Sequence, residues 1–226
     1  MSPIYLLIMG FMLLGQLAGT MLRRRFQEYS QIPIGLTGRE VAEKMLRDNN
    51  INDVRVIHVA GQLTDHYNPQ DKTVNLSEVV YNSNSVAAAA VAAHECGHAV
   101  QHANAYPFLQ FRSALVPVVQ ISTNLSQILL SIGVMVLVFS GYKIVLLLGV
   151  ILFAAGTLFS FMTLPVEFDA SARALRWLES KNILGANQDK AFTALKWAAS
   201  TYVVAALSSL ASLLYYASML FRNRER

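Results

Sequence analysis

Four stretches of this chain stay apolar and nearly uncharged for long enough to cross a hydrocarbon core about 30 Å thick. They are Ile4 to Leu22, about Ser113 to Ser140, Lys143 to Met162, and Ala198 to Leu220. The polar stretch between the first two carries shorter periodicities. Thr37-Gly38-Arg39-Glu40 has the capping-box pattern, with Thr37 at N-cap and Glu40 at N3. It predicts a helix to about Asn49 with Val41, Met45 and Leu46 on its apolar face. Val54 to Val59 reads as a strand. Leu63–Tyr67 and Lys72–Leu76 read as a hairpin around Asn68-Pro69-Gln70-Asp71, a type I turn with proline at its second position. Val86 to Val100 is nearly all alanine, valine and other small residues, a helix with Asn84 or Ser85 as N-cap. The expected architecture is a mainly α-helical integral membrane protein, about four transmembrane helices with a small α+β region. Its segments are residues 1–22 (anchor), 23–112 (soluble region), 113–163 (two spans), 164–197 (connector) and 198–226 (last span and basic tail).

Composition and charge extend this picture. At 54% hydrophobic and 14% charged residues, the chain is too apolar for an ordinary soluble domain of this length. Arg23-Arg24-Arg25 follow the first apolar run and no basic residue precedes it. That is the reverse of a cleaved signal peptide, so a retained anchor is expected. With the N-terminus outside, all of the 18 Lys and Arg except Lys143, Arg222, Arg224 and Arg226 fall on the cytoplasmic side. The basic tail opposes that orientation unless the last segment lies in the interface or fails to cross. The net charge of +4 follows from topology, and no basic-aromatic surface points to nucleic acid. A single cysteine, Cys96, excludes an internal disulfide. In the second span, Gln120, Thr123, Asn124, Gln127 and Ser131 recur at three- and four-residue spacing. Lipid disfavours such a stripe, so it is expected to bond another helix or line a cavity.

The chemistry centres on the alanine-rich helix, which contains His94-Glu95-Cys96-Gly97-His98. Histidines four apart stand on one helix face, about 5.4 Å apart along the axis, so both imidazoles can reach one metal ion. Glu95 lies one residue round the barrel, suited to accept a proton from a metal-bound water. Cys96 points away at helical phase and is expected to pack. His102 continues the series but lies about 12 Å along the axis from His94, too far to share bonds near 2 Å with it. A third ligand is expected from Leu164-Pro165-Val166-Glu167-Phe168-Asp169-Ala170-Ser171-Ala172-Arg173, read as a new helix with Pro165 in its first turn. Glu167 and Asp169 are both candidates. Glu167 shares a helix face with Ala170, Ser171 and Ala174, small residues that permit close approach. His58 is expected on a strand surface.

Together these segments resemble the YugP-type membrane zinc metallopeptidases, with a more distant likeness to HtpX-like enzymes and to gluzincins. The resemblance is carried by Gly35-Leu36-Thr37-Gly38, Leu63-Thr64-Asp65-His66-Tyr67, the helix from His94 through His102, and Leu164 to Ala170. It implies a zincin-like catalytic region of helix, β-hairpin and HExxH helix. It also implies a zinc site of His94, His98 and Glu167 with Glu95 as general base. HtpX-like enzymes carry an Asp four residues after the Glu to support a ligand histidine. This chain has Ser171 there, which leaves that support to Asp169 or another group.

The expected reaction is peptide-bond hydrolysis by zinc-activated water, with peptide or protein substrates, membrane proteins included. Candidate donors to the oxyanion are His66, which the resemblance favours, and Tyr67, Tyr106 and Arg173. The short strand before the HExxH helix can hold an extended peptide by edge pairing. A second class remains, a non-catalytic zinc-stabilised scaffold that binds partner proteins. Glu95 argues against it, since a structural zinc needs no base. Two imidazoles and a carboxylate also suit iron or manganese. The expected location is the cell membrane, with the catalytic region facing the cytoplasm.

Overall fold

The computed structural model describes residues 3–221, and the basic tail at 222–226 lies outside the described residues. In chain order the elements are α1 (Pro3–Tyr29), α2 (Gly38–Asp48), β1 (Arg55–Val59), β2 (His66–Asn68), β3 (Thr73–Ser77), α3 (Glu78–Tyr81), α4 (Val86–Ala103), α5 (Pro107–Ser140), α6 (Ile144–Ser180) and α7 (Gln188–Phe221). Four of these helices, α1, α5, α6 and α7, are long and apolar enough to cross a membrane. The chain is thus a mainly helical membrane protein with a small α+β region. It divides into two compact units. Among the described residues, one comprises 3–17, 111–164 and 201–221; the other comprises 18–110 and 165–200.

The second unit is built around α4. Ser85 caps this helix, its side chain accepting from the Ala88 N–H. Ala87, Ala88, Ala89, Ala90, Ala92 and Ala93 are wholly buried, so neighbouring elements approach its backbone on every side. α2 packs along it through Val41, Ala42, Met45 and Leu46. The capping box on α2 forms as the sequence predicts, Thr37 and Glu40 exchanging side-chain-to-backbone bonds. Trp177 Nε1 and Lys181 Nζ both reach Asp48 Oδ2, at 3.0 and 3.2 Å, tying the C-terminal end of α6 to α2.

The sheet differs from the sequence expectation in one functional respect. The hairpin forms, with His66 opposite Asn75 and Asn68 opposite Thr73, and the Asn68 side chain accepts from the Gln70 N–H across the turn. β1 pairs in parallel with β3, giving the order β1-β3-β2. The strand before the metal helix is therefore central and buried along its whole length, with no edge to offer a peptide. The outer strand nearest it in sequence is β2.

Two helices also run further than the periodicity suggests. α1 continues through Arg23–Arg25 to Tyr29, where Arg25 pairs with Glu28 at 2.7 Å. α6 passes through Pro165 without a break, so Pro165 does not open a new helix as expected. A proline inside a helix costs one hydrogen bond, tolerable where tertiary contacts hold the helix on both sides. The consequence is that one continuous helix carries both a membrane-crossing segment and the candidate third ligand.

In the first unit, α5 and α6 approach through glycines. A Cβ on Gly133 would lie 2.6 Å from the Leu146 backbone, and one on Gly149 would lie 2.9 Å from Leu130 N, the close small-residue packing common between membrane helices. Thr157 Oγ1 and Ser209 Oγ, 2.7 Å apart, join α6 to α7. The polar stripe of α5 does not take part. Ser122, Ser126 and Leu130 are buried, while Gln120, Thr123, Asn124, Gln127 and Ser131 are all exposed. No hydrogen bond from their side chains to another helix is found among the described residues, although the Thr123 hydroxyl faces α6, 3.4 Å from where a Cβ on Gly156 would stand.

Candidate metal centre

α4 and α6 bring three side chains together. His94 and His98 project from the same face of α4, rings edge to face with centroids 4.8 Å apart. Glu167, on α6, reaches both: its Oε2 lies 3.3 Å from His94 Nε2 and 3.6 Å from His98 Nε2. One ligand atom from each of the three lies within 4.8 Å of the others. Ligands about 2.1 Å from a tetrahedral zinc ion stand roughly 3.4 Å apart; the two carboxylate–imidazole separations match that spacing, and the three atoms together span up to 4.8 Å. Glu167 is 2% exposed. A carboxylate so deep needs positive charge or strong donors beside it, and a cation between two imidazoles meets that need.

The approach depends on Gly97. A Cβ there would stand 2.5 Å from the carbonyl oxygen of Ala170. α4 and α6 thus touch backbone to backbone at this level, and the fully buried Val166, Ala170 and Ala174 continue the contact along α6. Small residues at these positions are what let a carboxylate on one helix reach imidazoles on the other. Asp169, the other candidate ligand, turns elsewhere: its Oδ2 accepts from Gln101 Nε2 at 2.8 Å and from Arg173 Nε at 2.6 Å.

Glu95 is also buried, at 8% exposure. Burial pushes its carboxyl up to about 7; His94 opposes the shift and the charge of Glu167 adds to it. The backbone N–H of Tyr67, on β2, donates to Glu95, so strand and metal helix meet at this carboxylate. The Tyr67 hydroxyl and His102 Nδ1 are 2.7 Å apart, a second tie between β2 and α4. His102 therefore serves the strand, one turn beyond the cluster. The half-buried Asp65 carboxyl accepts from both the N–H and the hydroxyl of Ser77, fixing the start of the hairpin to the end of β3.

The outer nitrogens of both histidines are engaged. Ser171 Oγ lies 3.1 Å from His94 Nδ1, so the position the sequence reading passed over does touch a ligand candidate. Gln101 Oε1 lies 3.0 Å from His98 Nδ1. Sequence reasoning missed Gln101, although a signal was present: it is a polar residue three positions past His98, outside the HExxH pattern. His66 is exposed on β2, its Nδ1 2.8 Å from Thr64 O, and is not one of the three clustered groups. His58 is exposed and meets the Tyr81 ring edge to face. Cys96 is wholly buried, its thiol directed at Ala42 O and its pKa raised by burial, which suits packing. Tyr106 and Arg173 stack, with the guanidinium 5.9 Å from the ring centre.

Comparison with known proteins places this geometry in context. Residues 4–221 match a family described as "Putative neutral zinc metallopeptidase". The chain is 40% identical over 206 residues, 90% of each sequence, to "Putative membrane protease YugP" of Bacillus subtilis (strain 168). No solved structure matches.

Proposed function

Because the chain belongs to the putative neutral zinc metallopeptidase family, we propose that it is a membrane-embedded zinc endopeptidase that hydrolyses peptide bonds with Glu95 as general base. The observation that carries this reading is the convergence of His94, His98 and Glu167 with a second carboxylate outside the cluster, Glu95, buried on the helix that bears the two histidines. Structural zinc sites are closed by four protein ligands, whereas three ligands leave a position for water. A zinc ion held by His94, His98 and Glu167 would polarise a water and the scissile carbonyl. Glu95 accepts the proton of that water and delivers it to the leaving amine. A carboxyl raised to about 7 suits both halves of that transfer near neutral pH.

The substrate backbone lies beside β2, the outer strand of the hairpin, which the bond from Tyr67 N–H to Glu95 holds next to the metal helix. His66, one residue earlier on the same strand, is the proposed donor to the oxyanion. Substrates are peptides or proteins, membrane proteins among them, presented at the cytoplasmic face of the cell membrane where Arg23–Arg25 anchor α1.

The test uses purified Glu95→Gln beside wild type, with zinc content and cleavage of a casein-type substrate measured together. The variant should keep its zinc and lose about 10²–10⁴-fold in turnover. Cleavage at the wild-type rate would refute Glu95 as the base.

A further inference from the structure

Gln101 is fully buried and makes three hydrogen bonds that leave its amide no choice of orientation. Its nitrogen Nε2 lies 2.8 Å from Val166 O and 2.8 Å from Asp169 Oδ2. A backbone carbonyl can only accept, and Asp169 Oδ2 is already an acceptor, taking the Arg173 Nε–H at 2.6 Å. Nε2 must therefore face these two oxygens, and Oε1 must face His98, 3.0 Å from its Nδ1. An amide oxygen is an acceptor, so Nδ1 carries the proton. In a neutral imidazole with the proton on Nδ1, the lone pair sits on Nε2. That is the atom 3.6 Å from Glu167 Oε2.

The same side chain also grips the helix that bears the third ligand. Val166 and Asp169 flank Glu167, one residue before and two after. One amide thus fixes which nitrogen of His98 is free and where Glu167 stands against it. His94 has no equivalent, since Ser171 Oγ at 3.1 Å from its Nδ1 is a rotatable hydroxyl able to donate or accept.

We infer that Gln101, held by Asp169 and Arg173, is a positioning residue that commits His98 to bind metal through Nε2 and sets Glu167 in register with it before any metal arrives. This rests on the zinc reading above. Outer partners of metal ligands typically contribute about 10- to 100-fold in metal affinity, and Gln101 should sit in that range because it serves two ligands at once.

The experiment strips zinc from the full-length chain in detergent and titrates it back against a competing chelator, for wild type, Gln101→Met and Ser171→Ala. Methionine keeps the volume and removes every polar contact. Gln101→Met should bind zinc about 10- to 100-fold more weakly, and Ser171→Ala should lose less. In parallel, nitrogen-15 spectra of the metal-free wild type should show His98 protonated at Nδ1, and Gln101→Met should show a tautomer mixture at an unchanged fold.

Wild type that binds no zinc would sink the zinc reading itself. Wild type that binds zinc while Gln101→Met binds equally tightly would overturn the inference alone. If Gln101→Met fails to fold, the wild-type spectrum decides: His98 protonated at Nε2 contradicts the inference, and protonation at Nδ1 sustains it.

Discussion

The two units of this protein are each packed internally by different means. In the unit that bears the metal centre, the alanines of α4 are sealed from solvent and one glycine separates α4 from α6. Across the four long helices, by contrast, only 6–22% of each most apolar window is buried inside the chain. A membrane helix need not bury its apolar surface in protein, because lipid already solvates it. Site geometry has no such latitude: three ligand atoms must meet to within a few tenths of an ångström, and only close-packed neighbours hold them there. The metal unit should therefore respond sharply to small changes in volume, and the apolar unit should absorb large ones on its exposed surface, away from the close approaches at Gly133 and Gly149.

Gly97→Ala offers the largest contrast. The added methyl would stand 2.5 Å from Ala170 O, and backbone on both sides leaves little room to yield. Overpacking of this kind costs about 1–3 kcal/mol. A lowered melting temperature together with reduced zinc content is expected, since separating α4 from α6 moves Glu167 away from the histidines. Unchanged zinc content would mean that the close approach does not position the ligands.

The smallest effect should come from joint replacement of Gln120 and Gln127 by Leu on α5. Both are exposed, so no hydrogen bond within the chain is lost, and stability should stay within about 0.5 kcal/mol. Turnover should persist as well. Loss of activity in a stable variant would instead make this stripe the wall of a substrate path, and misassembly would show that its amides hold the fold together.

How much of this was legible in the sequence follows the same division. His94 and His98 could be read because helical phase is local and the i, i+4 spacing is unambiguous. Glu167 could be favoured over Asp169 because its face carries Ala170 and Ala174, although the helix bearing it was misread. Pro165 signals a helix start by local statistics, and only tertiary contacts on both sides of it explain why α6 continues. The central place of β3 was invisible for a related reason. Its parallel partner β1 is joined to it through the whole hairpin, and no short-range pattern announces such pairing. Gln101 and Ser171 are polar residues on helices whose neighbours come from distant sequence. Their contacts with His98 and His94 exist only once α4 and α6 have packed.

The central claim is most directly tested by metal analysis of the purified full-length chain, wild type beside Glu167→Ala. One zinc ion per wild-type chain and strong depletion in the variant, with the helical content of both unchanged, is the expected result. Equal zinc in the two proteins would contradict the account, because the carboxylate on α6 would then have no part in holding the ion.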